Sequence, residues 1–385
     1  MVDMSPLLFQ SLTSFSVTLA AIVLLARLAP TVGLLDAPGD RKQHNGHIPL
    51  VGGIAIFIAS IVGAILWGDS NQTLVTVNGN EALWVFMSGG AMLVVTGALD
   101  DRYDLGVFMR ILSECAAALI IIEGLDLHVG SLGDLLGTGA IKLPPAVAYP
   151  FTVIAIFGVI NAFNMLDGID GLLASLVLLT LLAFHLYTGT APGFLSLFIS
   201  AALLAFLVSN LQLTPLIPKT FLGDAGSKLL GFIVVSLILA AASQQIGGQK
   251  LIEPVTALYL IGLPLFDMVF TSLRRVIRGQ SPFSPDRTHI HHLLLSLGFS
   301  RRRTVSIILS TSAAISLLGL MLNSARTPEP VQFIIFLGSF LFYSWITSQA
   351  WHISARLSYQ AQRKINHQDA KQPSDAVIKV LSAKE

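Results

Sequence analysis

Charged residues are scarce in this sequence: Asp, Glu, Lys and Arg account for 12% of its 385 residues, whereas 54% are hydrophobic. No soluble domain needs that much apolar surface, because apolar surface exposed to water is unfavourable. The composition therefore predicts an all-α fold, a polytopic helical bundle embedded in a lipid bilayer. The net charge of +1 gives no indication of a nucleic-acid partner, and we expect none.

Cysteine is almost absent as well. Cys115 is the single cysteine and lies within an apolar run, so an internal disulfide is excluded and a packing role is favoured over a reactive thiol. The N-terminus lacks the basic segment of a signal peptide and carries Asp3 instead. Its apolar run is long enough to be a membrane span.

The apolar runs predict about eleven transmembrane helices, because a span needs about 20 mostly apolar residues. The predicted spans are 7–29, 49–67, 83–99, 106–122, 145–160, 172–188, 193–210, 226–246, 253–271, 304–322 and 331–350. No polar stretch is long enough to form a separate soluble domain. We expect one transmembrane catalytic domain over 1–350 and a polar cytoplasmic tail over 351–385, frayed or weakly helical after about position 360.

The distribution of Lys and Arg predicts the orientation. With the N-terminus outside and alternating loops, all 23 basic residues except Lys142, Lys250 and Arg326 fall on the cytoplasmic side. An odd number of spans then places the C-terminus in the cytoplasm. The polar clusters that follow the first, third, fifth, seventh and ninth spans also become cytoplasmic, so we expect the active site on that side.

Three aspartates end the third predicted span, where Asp100, Asp101 and Asp104 follow an apolar run. If the helix continues, Asp100 and Asp104 share one face and Asp101 lies beside them. Clustered carboxylates suit Mg²⁺, which prefers oxygen ligands and usually bridges carboxylates to substrate phosphates. One carboxylate could also accept a proton. The alternative is a solvated helix end paired with Arg102.

A second cluster repeats Asn or Asp every three residues, at Asn161, Asn164, Asp167 and Asp170. In a helical stretch, neighbours in this series lie close together and present oxygen ligands on one side. The alternative is a polar loop between two spans.

A third cluster begins the eighth predicted span, where Gly223, Gly226 and Ser227 surround Asp224. Backbone N–H groups at such a helix start could bind phosphate, and Asp224 could hold the bridging metal. The same residues also suit helix capping, so the motif alone is weak.

A fourth cluster contains Arg287, His289, His291 and His292. A helix would place His289 and His292 on one face, and Arg287 and His291 on another. Zinc is disfavoured because no cysteine accompanies the imidazoles. Hydrogen bonding to a diphosphate is favoured, and the alternative is a solvated basic segment.

Two charged residues lie within predicted spans, Arg110 and Asp267. Arg110 needs an anionic partner, either a substrate phosphate or a neighbouring carboxylate such as Asp104 or Asp101. Asp267 is either a functional carboxylate or a polar lock between helices, and the sequence does not separate these.

Taken in order, these motifs resemble the polyprenyl-phosphate N-acetylhexosamine-1-phosphate transferases, which form glycosyltransferase family 4. The motifs are Asp36-x-Pro…Arg41-Lys42…His44, Pro49-x-x-Gly52-Gly53, Asp100-Asp101-x-x-Asp104, Asn161-x-x-Asn164-x-x-Asp167-Gly-x-Asp170-Gly171, Phe221-x-Gly-Asp224-x-Gly-Ser227 and His289-x-His-His292. Each motif is modest alone, but the ordered set is specific and covers positions 30–300. The Arg-Thr-His-Ile-His-His form resembles the branch that uses UDP-N-acetylglucosamine.

The resemblance implies transfer of N-acetylhexosamine-1-phosphate, most simply GlcNAc-1-phosphate, from a UDP-sugar to undecaprenyl phosphate. The products would be a lipid-linked diphosphate sugar and UMP, at the start of cell-envelope polysaccharide synthesis (O-antigen, common antigen or teichoic-type). The reaction would need Mg²⁺, with Mn²⁺ as a substitute. The chain would lie in the bacterial inner membrane, often as a homodimer, with an interrupted, amphipathic ninth helix near 265–292.

The resemblance also implies residue roles. Asn164 and Asp224 match metal ligands, and Asp100, Asp101 and Asp224 match the catalytic centre. The positions that match substrate-binding residues are Arg110 for phosphate, Asp167, Asp170 and Phe221 on the uracil side, and Arg287, His289, His291 and His292 over the sugar and diphosphate.

Two other functions stay open at this point. An intramembrane Mg²⁺-dependent prenyltransferase would need two matched Asp-rich motifs, and this chain has one. An ion-coupled transporter would need several ionisable residues near the membrane midplane, where only Asp267 qualifies, and often an internal repeat.

Overall fold

The computed structural model describes residues 4–36, 46–67, 80–190, 193–243, 245–246, 249–282 and 288–369, and it is helical almost throughout. The helices are α1 (Met4–Val32), α2 (Gly52–Trp67), α3 (Asn80–Tyr103), α4 (Val107–Leu125), α5 (Pro145–Asn164), α6 (Leu172–Thr188), α7 (Phe194–Asn210), α8 (Gly223–Ser243), α9 (Pro254–Leu260), α10 (Gly262–Ile277), α11 (Ile290–Ser296), α12 (Arg301–Ser324) and α13 (Glu329–Asp369). Two antiparallel hairpins of two-residue strands complete it, β1 (Leu35–Asp36) with β2 (Ile48–Pro49) and β3 (Gln245–Ile246) with β4 (Gln249–Lys250).

The all-α polytopic membrane fold is confirmed, and a helix lies over each predicted span. By length and composition, α1, α3, α5, α8, α12 and α13 could cross a membrane, and α9 with α10 would make a seventh crossing. Three shorter helices, α2, α6 and α7, are also apolar. The total of eleven spans and the orientation of the termini stay predictions.

The ninth predicted span is broken, and the chain bends by 84° between α9 and α10. The break falls at Ile261, and Pro264 lies in the first turn of α10. Proline has no N–H to donate, and its ring clashes with the carbonyl four residues earlier, so a straight helix cannot pass through this point. The break therefore precedes the expected 265–292 region. As expected, α10 is amphipathic: it exposes Leu273 and Ile277 and buries Asp267.

Helix α8 forms the centre of the bundle. Its most apolar window is 94% buried, whereas the corresponding windows of the other five long helices are 22–44% buried. It packs against α2, α3, α5 and α6. A helix that is apolar all round belongs in the interior, so the first turn of α8 is placed at the meeting point of several helix ends.

Two separated segments are hydrogen-bonded in front of α8. The N–H of Phe221 donates to the carbonyl of Pro49 (2.9 Å), and the N–H of Gly52 donates to the carbonyl of Phe221 (2.9 Å). The N–H of Gly53 then bonds the carbonyl of Leu222 (3.1 Å). The start of α2 is thereby fixed to the start of α8, which joins two of the sequence motifs in space.

Replacing Gly53 by alanine is expected to destabilise the fold. A Cβ at Gly53 would lie 2.1 Å from the Cα of Gly226, a backbone atom that cannot turn away. Such overpacking costs about 1–3 kcal/mol of unfolding free energy, and thermal unfolding in detergent measures it. The matched control is Gly338→Ala, since nothing lies within 4 Å of a Cβ at Gly338. Equal unfolding temperatures for the two variants would contradict this packing.

Candidate active site

A cleft of about 1400 Å³ opens where helix ends meet around the first turn of α8. The ends of α3 and α5, the starts of α4, α8 and α12, and the connections that precede α2, α6 and α8 contribute to its wall. The predicted site residues that line it are Asp100, Asp101, Arg110, Asn164, Asp167, Asp170, Phe221, Asp224 and His292. Motifs that are separated by up to about 190 residues in the sequence therefore share one cavity.

Asp100 is buried and paired with two cations. Its Oδ2 lies 2.9 Å from Nε of Arg110 and 3.2 Å from Nζ of Lys228, and the N–H of Leu105 donates to its Oδ1 (2.9 Å). Arg110 also donates to Asp104 (2.6 Å). The expected partner of Arg110 is thus a carboxylate, although it is Asp100 together with Asp104 and not Asp101.

The helix does not continue to Asp104 as expected. Helix α3 ends at Tyr103, and Asp104 adopts a left-handed backbone with φ = 49°. Asp100 and Asp104 are joined through Arg110 and do not share a helical face. Asp104 is almost fully exposed at the rim of the cleft.

Asp101 caps helix α8 from a different part of the chain. Its Oδ1 accepts a hydrogen bond from the N–H of Asp224 (3.0 Å), one of the backbone donors that the first helical turn leaves without an internal partner. Its Oδ2 is buried and has no hydrogen-bond partner among the described residues. Oδ1 of Asp101 thus caps α8, whereas Oδ2 could bind a cation or a proton.

Asp224 lies in the first turn of α8 and contacts Asn164 at the end of α5. The amide of Asn164 donates to Oδ1 of Asp224 (3.0 Å) and to Oγ of Ser227 (2.7 Å). The positive end of the helix dipole stabilises negative charge at Asp224. The two residues that match metal ligands in the resemblance are therefore in direct contact.

Lys228 occupies the centre of a buried group of carboxylates. Its Nζ lies 3.2 Å from Asp100, 3.5 Å from Glu114 and 3.7 Å from Asp224. Asn161 donates to the other oxygen of Glu114. The first member of the three-residue repeat therefore supports Glu114 behind the cleft and does not line the cavity.

The repeat leaves the helix after Asn164, because α5 ends there and tight turns follow. Asp167 faces the water of the cleft, but protein encloses it on its other sides. This enclosure raises its pKa first, and the negative charges of Asp224, Asp101 and Asp170 raise it further, to about 8. The cleft thus concentrates negative charge that a bound cation would relieve.

Asp170 forms a polar contact with a lysine that also lines the cleft. Nζ of Lys219 lies 2.6 Å from its Oδ2 and 5.5 Å from the ring centre of Phe221. Asn210 holds the turn by accepting from the N–H of Gly171 (2.6 Å). A cation, a carboxylate and an aromatic ring thus adjoin one another in the wall of the cleft.

The donor set fits a hard divalent cation. Asp224, Asn164, Asp167 and the partnerless Oδ2 of Asp101 provide oxygen donors, which Mg²⁺ prefers. Within the described ranges, no three His, Cys, Asp or Glu side chains are arranged as a complete metal site. A cation held here would therefore share its ligands between these side chains and substrate oxygens.

The histidine segment reaches the cleft through a single imidazole among the described residues. His292 lines the cavity, whereas His289 and His291 are buried beside it. Helix α11 begins at Ile290 and His289 has an extended backbone, so His289 and His292 do not share a helical face as expected. Arg287 lies outside the described residues.

The comparisons with known proteins agree with this geometry. Residues 83–242 match the profile of the family described as "Glycosyl transferase family 4". The chain is 36% identical to an undecaprenyl-phosphate alpha-N-acetylglucosaminyl 1-phosphate transferase of Salmonella typhi, over 95% of this chain and 98% of that protein. The protein of the same name from Escherichia coli (strain K12) is 35% identical, over 90% and 92%.

The chain belongs to glycosyl transferase family 4. A more distant relative, named probable undecaprenyl-phosphate N-acetylglucosaminyl 1-phosphate transferase, comes from Bacillus subtilis (strain 168) and is 32% identical over 81% of this chain and 85% of that protein. The matched family region contains the three motifs that supply Asp100, Asp101, Asp104, Asp167, Asp170 and Asp224 to the cleft. The family predicted from the ordered motifs is therefore confirmed.

Several residues at this family 4 site were not predicted. Lys228 and Glu114 have no signal in the sequence beyond being charged residues in apolar runs, and except for Asp224 their partners come from other helices. Lys219 precedes Phe221 by two residues, and the sequence indicates only a basic residue on the predicted cytoplasmic side. For Asp267, the structure favours a polar contact between helices over a functional carboxylate. Asp267 bonds His289 of the histidine segment and does not line the cleft.

Asp101→Asn is expected to separate the two roles of this side chain. An asparagine keeps a carbonyl oxygen for the N–H of Asp224, so the unfolding temperature should stay close to that of the wild type. It loses the charge on the partnerless oxygen, so turnover should fall about 10²- to 10⁴-fold. The comparison variant, Asp101→Ala, should also lose about 1 kcal/mol of stability with the cap. Near-normal turnover of Asp101→Asn would show that capping is its only role.

Proposed function

We propose that this chain transfers N-acetylglucosamine-1-phosphate from UDP-N-acetylglucosamine to undecaprenyl phosphate. An oxygen of the lipid phosphate attacks the β-phosphorus, the bond between that phosphorus and the bridging oxygen breaks, and UMP leaves. The lipid-linked diphosphate sugar is the second product. The observation that carries this proposal is the meeting of four sequence motifs in one cleft of a chain that resembles the named transferases over nearly its whole length.

The residues around the cleft suit the charges of this reaction. Asp224, Asn164 and the free oxygen of Asp101 would hold Mg²⁺ or Mn²⁺, which neutralises charge on the diphosphate when bound. Asp100 fixes Arg110 at the rim, where the guanidinium can bind a substrate phosphate while keeping its carboxylate contact. Fixed cations of this kind stabilise charge without reorganising as the reaction proceeds.

The nucleotide is proposed to bind at the wall formed by Asp170, Lys219 and Phe221. An aromatic ring can stack on a uracil base, and a carboxylate can accept from its ring N–H. His292 faces the same cavity and can donate to the sugar or the diphosphate. Asp167, which also lines the cleft, would be a further ligand of the cation beside Asp224 and Asn164.

The lipid is proposed to enter at the start of α4. Val107, Phe108 and Met109 expose apolar surface there, and Phe108 is 73% exposed. Arg110 follows directly and lines the cleft. An isoprenoid chain in the bilayer could contact this turn while its phosphate reaches the guanidinium.

The active site is proposed to face the cytoplasm of a bacterial inner membrane. The support is the distribution of Lys and Arg, which follows the positive-inside rule for this orientation. UDP-sugars would reach the site from that side, and the lipid-linked product would serve cell-envelope polysaccharide synthesis. The homodimer implied by the resemblance stays a prediction.

Purified protein with undecaprenyl phosphate, Mg²⁺ and a panel of UDP-sugars tests the proposal. We expect UMP release that requires the lipid, stops with EDTA, returns with Mg²⁺ or Mn²⁺, and is fastest with UDP-N-acetylglucosamine. Faster release from UDP-N-acetylgalactosamine would overturn the choice of donor. No lipid-dependent UMP with any donor would overturn the reaction, and a prenylated arene or substrate counterflow would then favour the two rival functions.

A further inference from the structure

A buried carboxylate outside the cleft holds the histidine segment in place. Asp267 of α10 is 1% exposed and accepts three hydrogen bonds. Its Oδ1 accepts from the hydroxyl of Tyr343 (2.8 Å) and from the N–H of Ile290 (2.9 Å), and its Oδ2 contacts Nδ1 of His289 (2.9 Å). Three parts of the chain, α10, α11 and α13, therefore meet at one side chain.

The contacts of His289 assign its tautomer. An ionised carboxylate can only accept, so Nδ1 carries the proton toward Asp267. A guanidinium can only donate, and Nη2 of Arg275 lies 3.5 Å from Nε2, which is thus an acceptor. Arg275 also donates to the carbonyl of Pro282 (2.6 Å). His289 is therefore fully engaged away from the cleft, and side chains of α10 bond both Pro282 and His289.

The fixed segment then places His291 against the 167–170 turn. A Cβ at Gly168 would lie 2.2 Å from Nε2 of His291, so the ring sits directly on the glycine. Neither ring nitrogen of His291 has a hydrogen-bond partner among the described residues. Burial lowers the pKa of His291 well below its usual value, and the neighbouring histidines lower it further. The ring is a neutral packing group that supports the turn carrying Asp167 and Asp170.

Helix α13 contacts α10 and α11 at several positions. Besides Tyr343, it stacks Trp351 on the guanidinium of Arg274 (4.4 Å) and pairs Ser354 with Ser296 (2.8 Å). Trp351 and Ser354 also line the cleft. The helix thus continues past position 350 as part of the site wall, and the division of the chain at position 350 stays a prediction.

We infer that Asp267, held by Tyr343, is a positioning residue for the donor side of the cleft. It hydrogen-bonds His289 and Ile290, and these two residues hold the ring of His291 against Gly168. The turn with Asp167 and Asp170 and the imidazole of His292 are thereby held where a UDP-sugar binds. The inference rests on the proposed function for the identity of that substrate, but the mechanical linkage does not.

The sharpest test compares two buried tyrosines whose hydroxyls each connect α13 to one half of the broken ninth span, Tyr343 to α10 and Tyr259 to α9. Tyr343→Phe removes the hydroxyl that bonds Asp267. Tyr259→Phe, the matched control, removes a hydroxyl that donates to the carbonyl of Gln332 (2.6 Å) on α13, away from the cleft. Each variant loses one buried tyrosine hydrogen bond, charge-assisted at Asp267 and neutral at Gln332. A merely structural role therefore predicts a loss of stability in both variants but no selective change in the kinetics for the UDP-sugar.

Steady-state kinetics on folded, size-excluded protein give the first measurement. We expect Tyr343→Phe to lower kcat/KM for UDP-N-acetylglucosamine severalfold and Asp267→Asn to lower it about tenfold or more. The KM for undecaprenyl phosphate should stay unchanged in both, and Tyr259→Phe should match the wild type. Equal kinetics for the two tyrosine variants, or an equal rise in KM for the lipid, would overturn the inference.

A double-mutant cycle tests the route through Gly168. If Asp267→Asn and Gly168→Ala both disturb the seat of His291, the double variant should lose less than the product of the two single losses. Multiplicative losses would overturn the linkage.

Hydrogen exchange of peptides that cover 163–171 gives a measurement without substrate. Asp267→Asn should speed exchange in this turn, and Tyr259→Phe should not. Unchanged exchange would overturn the inference even if Asp267→Asn lowers turnover. The two proposals can also fail separately. If Asp267→Asn speeds exchange but the wild-type protein releases no UMP, the linkage is supported and the proposed reaction is refuted.

Discussion

Asp224→Asn is expected to reduce turnover by about 10³-fold or more while the protein still inserts and folds. The side chain lies at the first turn of α8, contacts Asn164, and faces a cleft that four sequence motifs share. Asparagine preserves its size but removes the charge that would hold a divalent cation against the diphosphate. Lipid-dependent UMP release at saturating substrates measures the effect.

The matched control for this substitution is Asp126→Asn. Asp126 is largely exposed and follows α4, whose other end carries Arg110 beside the cleft, and it tolerates asparagine because its backbone is left-handed with φ = 51°. Its turnover should equal that of the wild type. Turnover of Asp224→Asn within threefold of the Asp126→Asn control would contradict a role for Asp224 in holding the cation.

Lys228→Met is expected to cause the largest loss of stability, about 3–5 kcal/mol, together with loss of activity. The ammonium group is buried among Asp100, Glu114 and Asp224, and its removal leaves these carboxylates without their shared counter-charge. A buried charge without a partner is costly because it keeps neither its water nor a compensating ion. Unfolding of the purified protein by SDS titration measures the change in free energy.

A second substitution separates charge from packing at this site. The double variant Lys228→Met/Glu114→Gln removes one of the stranded charges and should recover part of the lost stability. Recovery is expected to be partial because Asp100 and Asp224 still lack the charge of Lys228, although Arg110 continues to pair with Asp100. If the double variant is as unstable as Lys228→Met alone, the loss arises from packing, and the electrostatic account of this cluster is wrong.

The parts of the fold that follow from local chemistry could be predicted from the sequence. The eleven predicted spans, which were read from apolar runs, all coincide with helices. The polar residues at the ends of these runs predicted that the motifs lie at helix termini. Alternation of the predicted spans further predicts that these termini lie on one side of the membrane, since every second span end would lie on the same side. The spacing of Asn164, Asp167 and Asp170 also predicted that these residues lie close together, and all three line the cleft. However, α5 ends at Asn164, and turns carry Asp167 and Asp170.

The parts that depend on contacts between distant segments could not be predicted. Asp101 caps a helix that begins more than a hundred residues later, and no local pattern indicates this. Lys228 has no nearby counter-charge in sequence except Asp224, and its pairing with Glu114 depends on the position of α4, which packs against α3 and α5. His289 was expected to face substrate, yet its buried partner, Asp267, lies 22 residues earlier on a helix broken from its predecessor.

The most direct test of the account follows the β-phosphorus of the donor. Purified protein is incubated with undecaprenyl phosphate, Mg²⁺ and UDP-N-acetylglucosamine labelled with ³²P at the β-position. The account predicts that the label moves into the organic-soluble lipid fraction while the nucleotide product is unlabelled UMP. Label that stays in the water-soluble fraction as UDP, with the sugar alone on the lipid, would contradict transfer of a sugar-1-phosphate.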